Sequence, residues 1–109
     1  MIINMKTKKA LINRAWVVYI LRCKDNTLYT GITNNIEKRL IAHDRGLASK
    51  YTRARLPVVL SAISNPMSKT EALRLEMRIK KLAKGEKIAT LNELLNKKHN
   101  AKKYLNTNK

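Results

Sequence analysis

Residues 16–32, Trp16-Val17-Val18-Tyr19-Ile20-Leu21-Arg22-Cys23-Lys24-Asp25-Asn26-Thr27-Leu28-Tyr29-Thr30-Gly31-Ile32, decide the fold. The run Trp16 to Leu21 is rich in β-branched and aromatic residues, which fit a pleated, buried surface, and reads as a central strand. Lys24-Asp25-Asn26-Thr27 has turn chemistry, and the short run Leu28 to Ile32 returns antiparallel to the first. Just beyond, Asn34 stands three residues before Glu37, a capping-box spacing that opens a helix carrying Arg39 and His43. Two strands and a helix thus deliver Tyr19, Tyr29, Arg39 and His43 to one neighbourhood.

For Tyr19 and Tyr29 to share a face of this hairpin, the numbers of opposing residues must add to an even total, because side chains alternate with period two. A two-residue turn at Asp25-Asn26 gives an odd total. The sequence therefore predicts an odd-numbered loop or a bulge, and tyrosines on opposite faces would exclude a shared site.

Outward from the hairpin, the chain is 109 residues, one domain by length. At this size it buries roughly 65% of its unfolded surface. With no Phe, one Trp and four Tyr, aliphatic residues supply most of the core. Lys and Arg number 24 against 7 Asp and Glu, a formal charge of +17. Such an excess on a small domain favours a polyanionic partner, with nucleic acid ahead of a membrane surface. The single Cys23 cannot close an internal disulfide, which fits a reducing, cytoplasmic setting and excludes a cysteine-rich zinc site. The basic residues before Ala15 and the apolar run after it do not make a secretory leader, since the run is β-branched and ends in Arg22-Cys23-Lys24-Asp25. No apolar run approaches the ~20 residues that span a bilayer.

Residues 1–14 read as a basic N-terminal arm, 15–95 as the folded domain and 96–109 as a basic tail. Gly46 marks the end of the first helix. Lys50-Tyr51-Thr52-Arg53-Ala54-Arg55-Leu56-Pro57 reads as a basic loop with one aromatic, and Pro57 introduces a third strand, Val58 to Ile63. Ser68, with Glu71 three residues on, caps a second helix that the pattern carries to about Lys84, where Gly85 stops it. A third, shorter helix covers Ile88 to Leu95.

Spaced 100° apart, Ala72, Leu75, Ile79, Leu82 and Ala83 form the core face of the second helix, and Glu76 falls on that arc. A carboxylate there costs several kcal/mol to desolvate unless a cation, a metal or hydrogen-bond donors receive it. A pair with Arg39, or an edge position open to water, serves equally well on geometry alone. Arg39 and His43 share a helix face, the first suited to phosphate oxygens, the second to proton relay or phosphate contact. Taken singly, a helical Arg is a solvated charge, a lone His a core residue and a strand Tyr a packing residue. Their convergence in a strongly basic domain is what points to chemistry.

Val18-Tyr19-Ile20, Tyr29-Thr30-Gly31, then Arg39 and His43 ten and fourteen residues past the second tyrosine, then Glu76 on a later helix, together resemble the GIY-YIG nuclease superfamily. Ala48-Ser49-Lys50-Tyr51-Thr52-Arg53-Ala54-Arg55 is similar to its small, single-domain bacterial branch, and the likeness covers about residues 15 to 85. The resemblance implies an α+β fold, a small three-stranded antiparallel sheet flanked by helices in the order β-β-α-β-α-α. It implies a divalent-metal-dependent endonuclease that hydrolyses DNA phosphodiesters, with RNA the alternative substrate and no small-molecule cofactor. Carried over by position, Glu76 holds Mg²⁺ or Mn²⁺, Arg39 stabilises charge on the phosphoryl oxygens, and Tyr19 and Tyr29 orient or deprotonate water, with His43 beside them. One carboxylate suffices for a hard cation that keeps several waters and takes substrate phosphate oxygens. A tyrosine of pKa ~10 needs nearby positive charge to act as a base, which Arg39 and the metal supply.

Three departures stand out. Val18 replaces the motif's glycine, Ile32 stands where some members have lysine, and the late asparagine has only Asn92 as a candidate. The missing lysine keeps a second reading open, a nucleic-acid-binding module of the same fold with weak or no catalysis. A structural adaptor in a larger assembly is the third.

Lys50, Arg53 and Arg55, with Tyr51 available to stack on a base, form the expected nucleic-acid surface, and the tails add Lys8, Lys9, Lys102 and Lys103. Nothing supplies a base-reading element, so binding is structure-selective or nonspecific. With about six phosphate contacts, DNA affinity measured by fluorescence anisotropy falls on the order of a thousandfold between about 50 and 200 mM salt. A flat salt dependence excludes the phosphate-dominated surface.

Overall fold

A computed structural model of the chain describes residues 15–107, with side chains through Leu95. The N-terminal arm with Lys8 and Lys9, and the side chains of Lys102 and Lys103, lie outside the described residues. Strands β1 (Val17–Cys23), β2 (Leu28–Thr33) and β3 (Val58–Ile63) form one antiparallel sheet in the order β2-β1-β3. Helices α1 (Ile36–Asp44), α2 (Lys50–Arg53), α3 (Lys69–Lys80) and α4 (Lys84–Thr107) complete a β-β-α-α-β-α-α order. The sheet and its flanking helices agree with the expected α+β class.

The hairpin has the required parity. Cys23 and Thr27 close a three-residue loop, with Cys23 N–H donating to the Thr27 carbonyl (2.9 Å) and Asn26 N–H to that of Cys23 (2.9 Å). Asn26 takes the left-handed conformation such a loop needs, at φ 67°, a region Asn tolerates better than most residues. Asp25 accepts from the Thr27 amide and hydroxyl. Tyr19 then pairs with Gly31 and Leu21 with Tyr29, so both tyrosines project from the front face.

Alternate residues of the same strands fill the back face. Val18 and Ile20 are sealed there with Ala62, Met67, Ala72 and Ile79 of α3 and Leu91 of α4, bordered by Trp16, Leu28, Ile32, Leu75, Leu82 and Ile88. Each aliphatic side chain sealed in this cluster contributes about 1.5–3 kcal/mol. Val18 therefore occupies the glycine position of the motif without crowding the tyrosines, because it points the other way. Ile32 faces the back as well.

Local signals set the helix bounds, in places differently from expectation. The α1 cap is Asn35, whose carboxamide oxygen accepts from Lys38 N–H (3.0 Å), where Asn34 was expected. The Thr33 hydroxyl accepts from the Asn35 amide and so fixes the cap one residue later. Gly46, at φ 72°, ends α1 with paired bonds from Gly46 N–H to His43 and Leu47 N–H to Ala42, a Schellman motif. The expected basic loop at Lys50 is instead a helical turn, α2, because Ser49 caps it through Thr52 N–H.

Ser68 and Glu71 form the expected reciprocal capping box on α3. That helix stops at Lys80, not Lys84, and Gly85 lies in the first turn of α4. At that end the Lys87 ammonium donates to the carbonyls of Ile79 (3.0 Å) and Lys80 (2.9 Å). Ala83, expected on the core face, is exposed. Helix α4 begins before Ile88 and its backbone runs on through Thr107, past the Leu95 limit expected for a shorter helix.

At the cross-strand pair Tyr19–Gly31, the tyrosine ring lies over the glycine: a Cβ on Gly31 would stand 2.7 Å from the Tyr19 hydroxyl oxygen and 2.8 Å from Cζ. Tyr19 is buried and cannot swing aside freely. Gly31→Ala should therefore displace the ring and cost about 1–3 kcal/mol in urea unfolding. An unchanged midpoint would mean that the ring does not rest on the glycine.

Candidate active site

Three rings converge on the front face. The Tyr19 and Tyr29 centroids are 6.2 Å apart, and His43 stands edge-on to both at 5.7 and 5.2 Å. The Tyr19 hydroxyl is 2.8 Å from His43 Nε2, and His43 Nδ1 is 2.9 Å from the Thr52 hydroxyl. His43 is 0% exposed and Tyr19 1%. α1 aims His43 inward, β1 aims Tyr19 towards it, and the turn of α2 closes Thr52 over the far side of the imidazole.

The electrostatics follow from that enclosure. Burial is the main cause that pushes the Tyr19 phenol far above its usual range, helped by the neighbouring Tyr29 and by Glu76, and opposed by Arg39. The expectation that positive charge lowers this pKa is thus corrected for the protein alone, since Arg39 acts in that sense but burial outweighs it. Burial also lowers the His43 pKa, with the Arg39 charge adding to it and Asp44 opposing. In the native state at neutral pH the pair is a neutral phenol bonded to a neutral imidazole.

β2 is an edge strand, and the Tyr19 ring crosses its Gly31. The charge of Arg39 on α1 lowers the Tyr19 pKa, and that of Glu76 on α3, the smallest of the causes, raises it. Arg39 is half-buried and lines a concavity of about 320 Å³ with Thr33, Asn34, Asn35, Lys38 and Ala42. The Glu76 side chain is 17% exposed, and its carboxylate lies 3.6 Å from the exposed ammonium of Lys80. It therefore occupies the edge position open to water, not a sealed core site.

The expected nucleic-acid residues divide into two groups. Lys50 and Arg53 are exposed on α2, with the Arg53 stem lying along Gly46. Tyr51, expected to be free to stack on a base, is engaged within the protein. Its ring is stacked on Tyr29 at 6.2 Å and 28°, and the Arg55 guanidinium lies 3.8 Å from its centroid. Arg55 also donates to Asp25 (3.0 Å) and to the Tyr51 carbonyl (3.0 Å). The two residues thus brace Tyr29 and tie α2 to the hairpin loop. Hydrogen bonds from Thr27, first the hydroxyl and then the amide, hold the Asp25 carboxyl below its usual range, with Arg55 assisting. Asn92 is exposed on α4.

Sequence reading missed Ser49 and Thr52, which complete the hydrogen bonding of His43. The signal was present in the three-residue spacing of Ser49 and Thr52, that of a helix cap and the amide it bonds.

Among the described residues no three His, Cys, Asp or Glu side chains converge as a metal cage. A water-accessible single carboxylate suits a hard divalent cation that retains most of its waters, and does not suit a zinc site. The donor set therefore fits Mg²⁺ or Mn²⁺ at Glu76.

The chain belongs to the GIY-YIG family, for a model of the GIY-YIG catalytic domain matches residues 15–92. It is similar to small single-domain proteins of bacteria and archaea, so the likeness reaches beyond the bacterial branch. A UPF0213 protein of Nitratidesulfovibrio vulgaris is 47% identical over 79 residues, 72% of each chain. A UPF0213 protein of Clostridium perfringens is 46% identical over 89 residues, 82% of this chain and 96% of the relative. One of Halobacterium salinarum is 44% identical over 72 residues, 66% and 94%. The solution NMR structure of UPF0213 protein BH0048 from Bacillus halodurans shares 39% identity, covering 73% of this chain and 85% of that one, with a TM-score of 0.46.

The two shifted ring groups make opposite contributions with pH. The His43 pKa is lowered in the fold, so its share of stability is present above the unfolded value of about 6.5 and is lost as pH falls through the folded one. Tyr19 is raised, so its share is present below about 10 and is lost at higher pH. The melting temperature should fall as pH drops from about 7 to 5, and this slope should flatten in His43→Gln. Equal slopes in both proteins would show that His43 is not held neutral.

Proposed function

We propose that this protein is a divalent-metal-dependent endonuclease that hydrolyses DNA phosphodiester bonds, structure-selectively or without preference, in DNA repair or processing. One observation carries the reading. Two phenols and an imidazole converge on one face of the sheet at its edge strand, with His43 Nε2 2.8 Å from the Tyr19 hydroxyl.

In this reading Glu76 holds Mg²⁺ or Mn²⁺, which when bound supplies positive charge against the negative charge that develops on the phosphate and the departing oxygen. Arg39 orients the phosphate and stabilises its oxygens from the concavity it lines. Tyr29, braced by Tyr51 and Arg55, positions the attacking water. Tyr19 takes its proton, with His43 Nε2 as the neighbour to which the phenol's own proton passes. Lys50 and Arg53 fix the DNA through phosphate contacts, which carry no sequence information. Family membership supports hydrolysis and a nucleic-acid substrate, and the +17 charge supports a polyanion. No helix among the described residues is long and apolar enough to cross a membrane.

A binding module with little catalysis is the second reading, favoured by Ile32, which faces the core where some family members have lysine. Purified protein incubated with branched, nicked and linear DNA in Mg²⁺, Mn²⁺ or EDTA separates the two. Cleavage should require the metal, and Glu76→Ala and Arg39→Ala should each slow it roughly 10²–10³-fold. Equal cleavage by wild type and Glu76→Ala would reveal a contaminant. Binding without cleavage in every metal would leave the module.

A further inference from the structure

Behind Tyr19 and His43 lie two hydroxyls, those of Thr52 and Ser49, to which that reading gives no task. From the Tyr19 hydroxyl a chain of hydrogen bonds passes to His43 Nε2 (2.8 Å), from His43 Nδ1 to Thr52 Oγ1 (2.9 Å), and from Thr52 Oγ1 to Ser49 Oγ (2.9 Å). Tyr19, His43 and Thr52 are almost completely buried. Ser49 is half-buried and lines an open hollow of about 270 Å³ with Gly46, Leu47, Ala48, Lys50 and Arg53. The chain begins at a phenol with 1% of its surface exposed and ends at a half-buried hydroxyl.

The acceptor at its far end favours one direction. The Ser49 carbonyl, 3.4 Å from Thr52 Oγ1, can only accept, while the bond between the Ser49 and Thr52 hydroxyls can run either way. A Thr52 hydroxyl that donates towards Ser49 turns its lone pairs to His43, where they receive an Nδ1–H. An imidazole protonated at Nδ1 leaves Nε2 bare, and a bare Nε2 accepts from Tyr19.

We propose that Thr52, backed by Ser49, is a positioning residue that holds His43 as the Nδ1–H tautomer, so that the proton of Tyr19 leaves through His43, Thr52 and Ser49 to the hollow behind α2. The relay rests on the nuclease reading, while the tautomer can be observed without cleavage. As Tyr19 takes a proton from water, its own O–H bond breaks and His43 Nε2–H forms. Nδ1–H breaks as a new Thr52 O–H forms, the former Thr52 proton bonds to Ser49 Oγ, and the former Ser49 proton passes to solvent. One proton enters, one leaves, and each group keeps its count. A proton returning from the hollow between turnovers, with Tyr19 releasing one on the substrate side, restores the starting tautomer.

Long-range ¹H–¹⁵N spectra of the full-length labelled protein read the tautomer directly. The expected result is a protonated Nδ1 and an unprotonated Nε2 on His43; Nε2–H as the major form overturns the proposal. Thr52→Val should shift His43 towards Nε2–H and slow single-turnover cleavage roughly 10- to 100-fold at unchanged DNA affinity, less than the full 10²–10⁴ of a positioned acid–base group. Thr52→Ser should restore both. Should Thr52→Val fail to fold, the wild-type and Thr52→Ser spectra still decide. A Thr52→Val protein that folds and cleaves at the wild-type rate, or keeps the wild-type tautomer, overturns the relay and leaves the nuclease reading standing. Absence of cleavage in wild type with the expected tautomer overturns the nuclease reading and supports the positioning by Thr52.

Discussion

A tyrosine ring laid across a glycine on an edge strand governs the layout of this protein. Tyr19 passes over Gly31 because no Cβ stands in its way, and its hydroxyl thereby reaches His43. Had β2 been an inner strand, a further strand would have separated the helices on the two faces. At an edge, the ring has room to cross the glycine, and Tyr19, Tyr29 and His43 meet there.

The two faces of the sheet do different work with the same strands. The back face is aliphatic, formed by alternate residues of β1 and β2 with α3 and α4, and its burial supplies most of the stability. The front face buries polar groups, which is tolerable only because each finds a partner. No buried side-chain nitrogen or oxygen among the described residues lacks a hydrogen bond. Keeping Tyr19 and His43 neutral avoids the desolvation of a charge, and cations such as Lys50 and Arg53 stay on the rim, where water solvates them. Arg55 is the intermediate case, a cation spent on Asp25 and Tyr51 to hold the wall that supports Tyr29.

Much of this was legible because it depends on neighbours in the chain. The parity of the hairpin follows from period-two alternation, and Asn26 is a residue that tolerates the left-handed turn that parity requires. The box at Ser68 and Glu71, the Gly46 stop and the inward arc of α3 all rest on contacts within four or five residues. The positions of Tyr19, Tyr29, Arg39, His43 and Glu76 could be listed from spacing, and three of them, Tyr19, Tyr29 and His43, meet ring to ring. Where two local signals competed, sequence reading went astray. Asn35 won the cap from Asn34 because Thr33 bonds its amide, and α3 ended at Lys80, ahead of Gly85, with Lys87 bonding its last carbonyls.

By itself, then, the sequence determined the hairpin and its parity, the capped start of α3, the family and the excess of positive charge. Each is written in periodicity, capping chemistry or composition, which act over short stretches. Only the tertiary structure decided that Tyr51 and Arg55 brace Tyr29, that Ser49 and Thr52 complete the hydrogen bonding of His43, and that burial outweighs Arg39 in setting the Tyr19 proton. Those outcomes depend on which distant segments pack together and how much water they exclude, and desolvation is a property of the assembled fold, not of any stretch of chain.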